Sequence, residues 1–401
     1  MEFQTPEDTV PSEFITDEMT RQLAGRPPAT GAWRDGDPAG SREFVPIGTL
    51  KLESGKELHS VKIAYESWGE LNEDASNAVL VLHALTGDSH VIGPASKAHP
   101  TEGWWNGIIG PGLAVDTEKF YVVAPNVLGG CQGTTGPSAL DAKGIEYGSR
   151  FPFLTIRDQV TAQKTFSDAI GIQKWHTVIG GSMGGMQSLE WGVMFPDSMT
   201  NLAVIAAPPV STADQIALNC VQIEAIKTDP AFKDGNFYEA RAGQGPHRGL
   251  ALARRMALLN YRSPSELNDR FERTWQSSVN PLGGGGRFAV ESYLDFHGNK
   301  FTRRFDANSY IVLVNAMNSH DISRDRGSLA EALGRIKART LIAGIDSDRL
   351  FPIDGQAAIA ANLKCEMVNG GLQTITSEFG HDGFLIEKDV VGPLLEQLLA
   401  G

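Results

Sequence analysis

The stretch Val178-Ile179-Gly180-Gly181-Ser182-Met183-Gly184-Gly185 decides the fold. It joins a short apolar run at residues 177–180 to an amphipathic stretch at 183–195 that stops before Pro196. A G-x-S-x-G pattern at a strand-to-helix junction marks a nucleophile elbow, a strained turn that lifts a serine hydroxyl above the end of a sheet. The surrounding glycines leave room where a Cβ would collide with the helix or the strand. The letters alone are a weak signal. The strand before and the helix after separate this turn from an ordinary glycine-rich one.

Outward from that turn, residues 78–83, 120–125, 202–206 and 340–343 form further short Val/Ile/Leu runs bounded by turn residues. Continuous apolar strands of this length suit a parallel sheet buried on both faces. Between them lie amphipathic segments such as 156–170, which closes at Gly171. The alternation predicts an α/β fold with a mostly parallel, doubly wound sheet. It breaks between about 212 and 333, where helical segments at 213–226, 249–261, 264–275 and 308–317 follow one another without a strand. We therefore expect a sheet-and-helix core over 43–211 and 334–401, interrupted by a helical lid over 212–333. The glycines at 283–286 give that lid a flexible loop. Residues 1–42 show no periodicity and read as an irregular arm with a mobile end.

Composition narrows the function classes. The 401 residues are 41% hydrophobic and 21% charged, which supports a packed globular core. With 35 Lys+Arg against 48 Asp+Glu, the net charge of −13 disfavours a phosphate backbone as partner, so nucleic acid is not expected. Three dispersed cysteines, Cys131, Cys220 and Cys365, make neither a disulfide framework nor a metal-binding pair, which fits a reducing cytoplasm. The opening MEFQTPEDTVPSEF lacks a basic leader or an apolar run, and no stretch is long enough to span a bilayer, so neither secretion nor anchoring is expected. No His/Cys/Asp/Glu group has ligand spacing, so no metal is expected.

A serine hydroxyl is a weak nucleophile until a general base takes its proton, so Ser182 calls for a histidine oriented by a carboxylate. Around an elbow of this kind the chain order is nucleophile, acid, base. Of the nine histidines, His247, His297, His320 and His381 follow Ser182, and the first three fall in the helical insertion. His381, in the loop Glu378-Phe379-Gly380-His381-Asp382-Gly383-Phe384, is the candidate base. For the acid, Asp346 and Asp348 compete in Gly344-Ile345-Asp346-Ser347-Asp348-Arg349-Leu350-Phe351-Pro352. The oxyanion needs two backbone donors, and Met183 and Leu85 are the candidates. His83 reads as a core histidine at a strand end.

Six ordered motifs carry a family resemblance: His83-Ala-Leu-Thr-Gly-Asp-Ser-His90, Asn126-Val-Leu-Gly-Gly-Cys-Gln-Gly-Thr-Thr-Gly-Pro137, Gly181-Ser-Met-Gly-Gly-Met186, Arg304-Phe-Asp-Ala-Asn-Ser-Tyr310, Ser347-Asp-Arg-Leu-Phe-Pro352 and Gly380-His-Asp-Gly383. From about Phe44 to Leu399 the chain resembles the homoserine O-acetyltransferases, acyltransferases of the α/β-hydrolase fold in methionine biosynthesis. The resemblance implies Ser182 as nucleophile, Asp348 rather than Asp346 as acid, and His381 as base. It further implies that Arg254, with Arg255 as the other register, holds the carboxylate of L-homoserine, that Asp382 holds its amino group, and that Tyr261 belongs to the same site. It implies acetyl-CoA as co-substrate with no bound cofactor, ping-pong transfer through an acyl-serine, and a homodimer joined through the lids. A serine acceptor, a succinyl donor or a plain esterase would keep the same triad, whereas a non-catalytic binding module would be expected to lose a member of it. The chain departs from the family at Asn260-Tyr261, where a Thr-Tyr pair is expected, so the side chain before Tyr261 is expected to meet substrate differently.

Overall fold

The computed structural model describes residues 21–400; the first twenty residues of the expected arm, including its end, lie outside the described residues. The chain begins with a hairpin, β1 (Glu43–Lys51) and β2 (Glu57–Trp68), followed by β3 (Ala78–Leu82), a small pair β4 (Ile109–Gly110) and β5 (Val115–Asp116), and β6 (Tyr121–Pro125). Next come α1 (Ile156–Ala169), β7 (Trp175–Gly181), α2 (Met183–Met194) and β8 (Met199–Ile205). Six helices then follow without an intervening strand among the described residues: α3 (Ala213–Lys227), α4 (His247–Tyr261), α5 (Pro264–Phe271), α6 (Ala289–Phe301), α7 (Ala307–Asn318) and α8 (Leu329–Leu333). The chain returns through β9 (Arg339–Ile345), α9 (Ile353–Asn362), β10 (Gln373–Ile375), α10 (Gly383–Ile386) and α11 (Lys388–Leu399).

Eight strands form one sheet in the order β1-β2-β6-β3-β7-β8-β9-β10. The β1 and β2 pairings are antiparallel, and every pairing from β6 through β10 is parallel. The central strands bury both faces by strict alternation. Leu80 and Leu82 of β3, Val178 of β7, and Leu202 and Val204 of β8 enter one core, while Val79, Val81, Ile179, Ala203 and Ile205 enter the other. Period-two geometry forces this split, and each fully buried Val, Leu or Ile contributes up to about 1.5–3 kcal/mol.

The five apolar runs of the sequence lie on β3, β6, β7, β8 and β9, and the expected helices at 156–170, 183–195, 213–226, 249–261, 264–275 and 308–317 fall on α1–α5 and α7. Periodicity misses β1, β2, β10 and α6 for physical reasons. Strand β1 (EFVPIGTLK) bulges at Pro46 and Gly48 and stays largely exposed, so it shows no clean alternation. Strand β10 has three residues. Helix α6 (AVESYLDFHGNKF) mixes aromatic and charged residues and contains Gly298.

Capping boxes start α1, Thr155 with Asp158, and α3, Thr212 with Gln215. Ion pairs from Arg157 of α1 (3.1 Å) and from Arg326 (2.7 Å), between α7 and α8, to the buried Glu190 of α2 join α1 and α2 to the insertion. The described part of the arm lies against that insertion. Arg303 donates to the carbonyls of Leu23 and Gly25, the Thr30 hydroxyl donates to Asp306 at 2.7 Å, and the Gly31 amide donates to the Phe305 carbonyl.

Strand β7 hands over to α2 at Ser182, whose backbone adopts φ 59° and ψ −124°. A non-glycine residue held there costs about 1–3 kcal/mol, which the packing around it must overcome. That packing is close enough to require glycine. A Cβ on Gly184 would lie 2.1 Å from the Leu82 carbonyl oxygen, and one on Gly180 would lie 2.0 Å from that of Gly184. Gly184→Ala therefore drives α2 off the end of β3, and we expect a loss of about 3 kcal/mol or more of stability. Chemical denaturation checks this, and a variant as stable as the parent would show that the elbow can relax.

Candidate active site

Ser182, His381 and Asp348 reach the site from three separate loops, and all three are buried. The Ser182 hydroxyl lies 2.8 Å from Nε2 of His381, and Nδ1 of the same ring lies 2.6 Å from Asp348 Oδ2. The other carboxylate oxygen of Asp348 accepts from the amides of Leu350 (2.8 Å) and Phe351 (2.9 Å), which fixes its plane. Asp346 instead accepts from the Ser377 amide at 3.1 Å, so it ties the two loops together and does not meet the imidazole.

The imidazole is boxed by rings. Phe351 stands edge-on at 5.1 Å and Phe384 at 5.7 Å, with Tyr261 tilted at 5.8 Å. Burial alone would weaken its hold on a proton. The charge of Asp348 and the hydrogen bond to it outweigh that, and the proton affinity of His381 rises above the ordinary histidine value.

Ser182 and His381 face a cavity of about 200 Å³ lined also by Leu85, Thr86, Asp88, Trp104, Arg254, Tyr261, Arg304 and Asp382. Leu85 lies in the turn closed by the Gly87 amide on the Ala84 carbonyl (2.9 Å). Met183 is the first residue of α2, where helix amides have no intrahelical acceptor. His83 takes no part. Its Nε2 accepts from the Val127 amide at 3.0 Å, and its Nδ1 meets the Ala84 carbonyl at 2.8 Å.

Of the two arginine registers, Arg254 lines the cavity, stacked over Tyr261 (5.3 Å) and Phe301 (5.1 Å). Its Nη1 is buried without a hydrogen-bond partner. Arg255 turns away to Asp295 at 2.6 Å. Asp382 lines the cavity and meets Arg262 Nε at 3.3 Å, a partner that the sequence does not suggest. The Asn260 side chain donates to the Met256 carbonyl of its own helix at 3.1 Å and is not among the residues lining the cavity.

Two charged residues of the site escape the sequence reading. Arg304 donates to the Thr86 carbonyl at 2.6 Å and approaches Asp88 at 3.8 Å, so the insertion is fastened to the turn that carries Leu85. Their signal was present, since both stand inside quoted motifs. What the sequence could not give is that the two motifs touch.

The fold also assembles a cluster that spacing conceals. Glu66, His90 and His99 bring ligand-type atoms within 4.8 Å of one another. Several of these atoms are engaged: Glu66 accepts from the Ser89 hydroxyl (2.8 Å) and pairs with His90 Nδ1 (3.0 Å), and His99 Nε2 accepts from the Ser41 amide (3.3 Å), while His99 Nδ1, 3.8 Å from Glu66, is buried without a hydrogen-bond partner. The Arg42 guanidinium acts on both Glu66 and His99 and supplies the countercharge. This cluster is a buried anchor for the 83–90 turn.

Residues 77–387 match the family model described as the alpha/beta hydrolase fold. A homoserine O-acetyltransferase of Leifsonia xyli is 63% identical over 401 residues, covering 100% of both chains. That of Thermobifida fusca is 52% identical over 374 residues, covering 93% of this chain and 97% of the relative. The chain belongs to the homoserine O-acetyltransferase family. It is thus an acyltransferase of the alpha/beta hydrolase fold. The crystal structure of homoserine O-acetyltransferase from Bacillus anthracis superposes with a TM-score of 0.80 at 26% identity, covering 90% of this chain and 97% of that one. Esterase E22 superposes with a TM-score of 0.79 at 27% identity, covering 89% and 99%.

The environment of His381 yields a prediction independent of turnover. By NMR its imidazole should titrate above the ordinary value of 6.5, and Asp348→Asn should lower it, because burial is then opposed only by the weaker influence of the Asp382 charge. A titration unmoved by that substitution would show that Asp348 does not hold the ring's charge.

Proposed function

We propose that this acyltransferase moves an acetyl group from acetyl-CoA to the γ-hydroxyl of L-homoserine in two half-reactions. The observation that carries the reading is the buried, unpartnered Nη1 of Arg254 in the cavity that Asp382 and the Ser182–His381 pair also line. An amino acid offers a carboxylate to fork onto the guanidinium and an ammonium for the carboxylate. An ester with neither group would leave Arg254 unmet. The acetyl donor and the homoserine acceptor are supported by the names of the relatives.

In the first half-reaction His381 Nε2 takes the Ser182 proton as Oγ attacks the thioester carbon. The amides of Met183 and Leu85 receive the oxyanion, the C–S bond breaks, and the departing thiolate takes the proton from His381. In the second, the homoserine hydroxyl gives its proton to His381 and attacks the acyl-serine. The ester bond to Ser182 then breaks, and Oγ recovers the proton. Asp348 steadies the imidazolium in both.

Transfer must outrun hydrolysis, so the apolar walls from Leu85, Trp104, Phe384 and Leu385 serve to keep water from the acyl-serine. The likeness to esterase E22 gives the hydrolase reading its specific support, because a Ser–His–Asp arrangement can hydrolyse an ester when water is admitted. We read the helices at 212–333 as the lid that excludes it. Exposed apolar side chains there, among them Ile216, Val221, Leu252 and Leu259, would be covered in a lid-joined homodimer.

Thiol release from acetyl-CoA should depend on L-homoserine, with succinyl-CoA, L-serine and an aryl ester as poor substitutes; release without any acceptor would favour the hydrolase. Ser182→Ala should abolish the acyl adduct seen by mass spectrometry. Arg254→Ala should raise the homoserine KM by about 100-fold while leaving the first half-reaction intact. The general base must be neutral. Because the proton affinity of His381 is raised, kcat/KM should fall with decreasing pH through a value above 6.5. An acid limb well below 6.5 would contradict the role given to His381.

A further inference from the structure

Helix α4 ends against the loop that carries His381, and the contact has three parts. A Cβ on Gly380 would lie 2.5 Å from the Tyr261 carbonyl oxygen and 2.9 Å from the Ser263 nitrogen, so the two backbones touch. The Ser263 hydroxyl donates to the Glu378 carbonyl. From the same turn Arg262 reaches Asp382, with Nε 3.3 Å from Oδ2. Asp382 lines the Ser182 cavity and Arg262 is not among its lining residues, so the guanidinium meets the carboxylate without facing that cavity itself. Side-chain exposures of 16% and 18% mean that solvent screens the pair only in part. The other acid within reach has a nearer partner. Glu266 of α5 stands 3.9 Å from Arg262 Nη1 but 3.3 Å from Arg270 Nη1, which leaves Asp382 as the nearest carboxylate to Arg262.

Arg262 Nε is buried and has no hydrogen-bond partner among the described residues, so charge at short range holds Asp382 and a directed bond does not. The difference bears on the reaction. A carboxylate forked by a guanidinium has its lone pairs taken, whereas one held by charge stays ionised and restrained and can still accept from an ammonium. We propose, on the acceptor reading above, that Arg262 is the positioning residue for Asp382: it holds the carboxylate toward the ammonium of the amino-acid acceptor and shares a charge that would otherwise fall on His381. Arg262 touches neither substrate nor the reacting atoms and acts through Asp382. The imidazole faces Asp348 and Asp382 as charged groups, with Ser182 and Tyr261 beside it. Glu266 and Arg270 of α5 and Tyr293 and His297 of α6 complete the titratable and charged groups around Arg262. Asp382 adds to the proton affinity of His381 after the larger contribution of Asp348. Removing the cation beside Asp382 therefore moves that affinity up, not down.

The test follows two quantities in the full-length protein: the titration of His381 by NMR without substrate, and the homoserine KM. Arg262→Gln should move the titration up by about 0.5 pH unit and raise the KM about tenfold. Acyl-serine formation from acetyl-CoA, read at a pH where His381 is neutral, should change far less than the KM. Arg262→Lys keeps the charge and should bring both quantities back toward the parent values. Because Arg262 acts through Asp382, adding Arg262→Gln to Asp382→Asn should move neither quantity further. A parent-like titration and KM in Arg262→Gln would overturn the proposal, as would additive effects in the double variant. Equal losses in both half-reactions that lysine does not restore would also overturn it, since Arg262 would then serve the fold alone. Failure of the acceptor reading looks different: His381 would shift as expected in Arg262→Gln, while the parent protein would show no homoserine-dependent thiol release.

Discussion

The structure is organised around the conformation of a single residue. Ser182 sits at φ 59°, where a side chain is strained, and it is kept there because β7 ends against β8 and α2 starts against β3. The Ser182 amide donates to the Ile205 carbonyl at 2.9 Å, so the sheet's own ladder continues into the elbow and pins it. A parallel sheet buried on both faces is what makes this possible. Its strands cannot shift register without moving their whole apolar set to the wrong face, and the strain of one turn is small against that.

From that fixed point the other two members of the triad are placed by loops that follow β9 and β10. The bond between His381 and Ser182 joins residues 199 apart in sequence, and the bond from His381 to Asp348 joins residues 33 apart. Parallel strands bring such loops to the same edge of the sheet, which is why chain order, together with position outside the helical insertion, singles out His381 among nine histidines. The choice between Asp346 and Asp348 is different in kind. Both follow β9 within a few residues, and only the direction of each side chain decides, which depends on the amides of Leu350, Phe351 and Ser377.

This marks what the sequence could and could not convey. Central strands are legible because burial on both faces leaves an unbroken apolar run. The hairpin β1–β2 is not, because β1 is largely exposed and bulges near Pro46 and Gly48, and the first half of β2 is largely exposed before Ile63 to Glu66 become buried on both faces. Within the site, residues tied to a local motif, such as Ser182 and His381, stand out. Residues whose role is created by contact between distant segments do not. Arg304 gains its place from Thr86 and Asp88, Asp382 gains Arg262, and Glu66 gains His90 and His99. Helix α6 is a costly omission, since it carries His297, and its amphipathic character is no weaker than that of α3 or α7, which the pattern does reveal.

The same contacts explain how the insertion and the core act as one site. Arg304 belongs to the insertion, yet its guanidinium is fastened to the turn that presents Leu85, and its neighbours Arg303 and Phe305 are held by the N-terminal arm. Gln132 adds a bond from the core to the Arg304 carbonyl at 2.8 Å. The segment that supplies the cavity's second arginine is therefore clamped on both sides, by backbone contacts that do not depend on substrate. A guanidinium held this way is positioned before any anion arrives, so little side-chain entropy remains to be lost on binding.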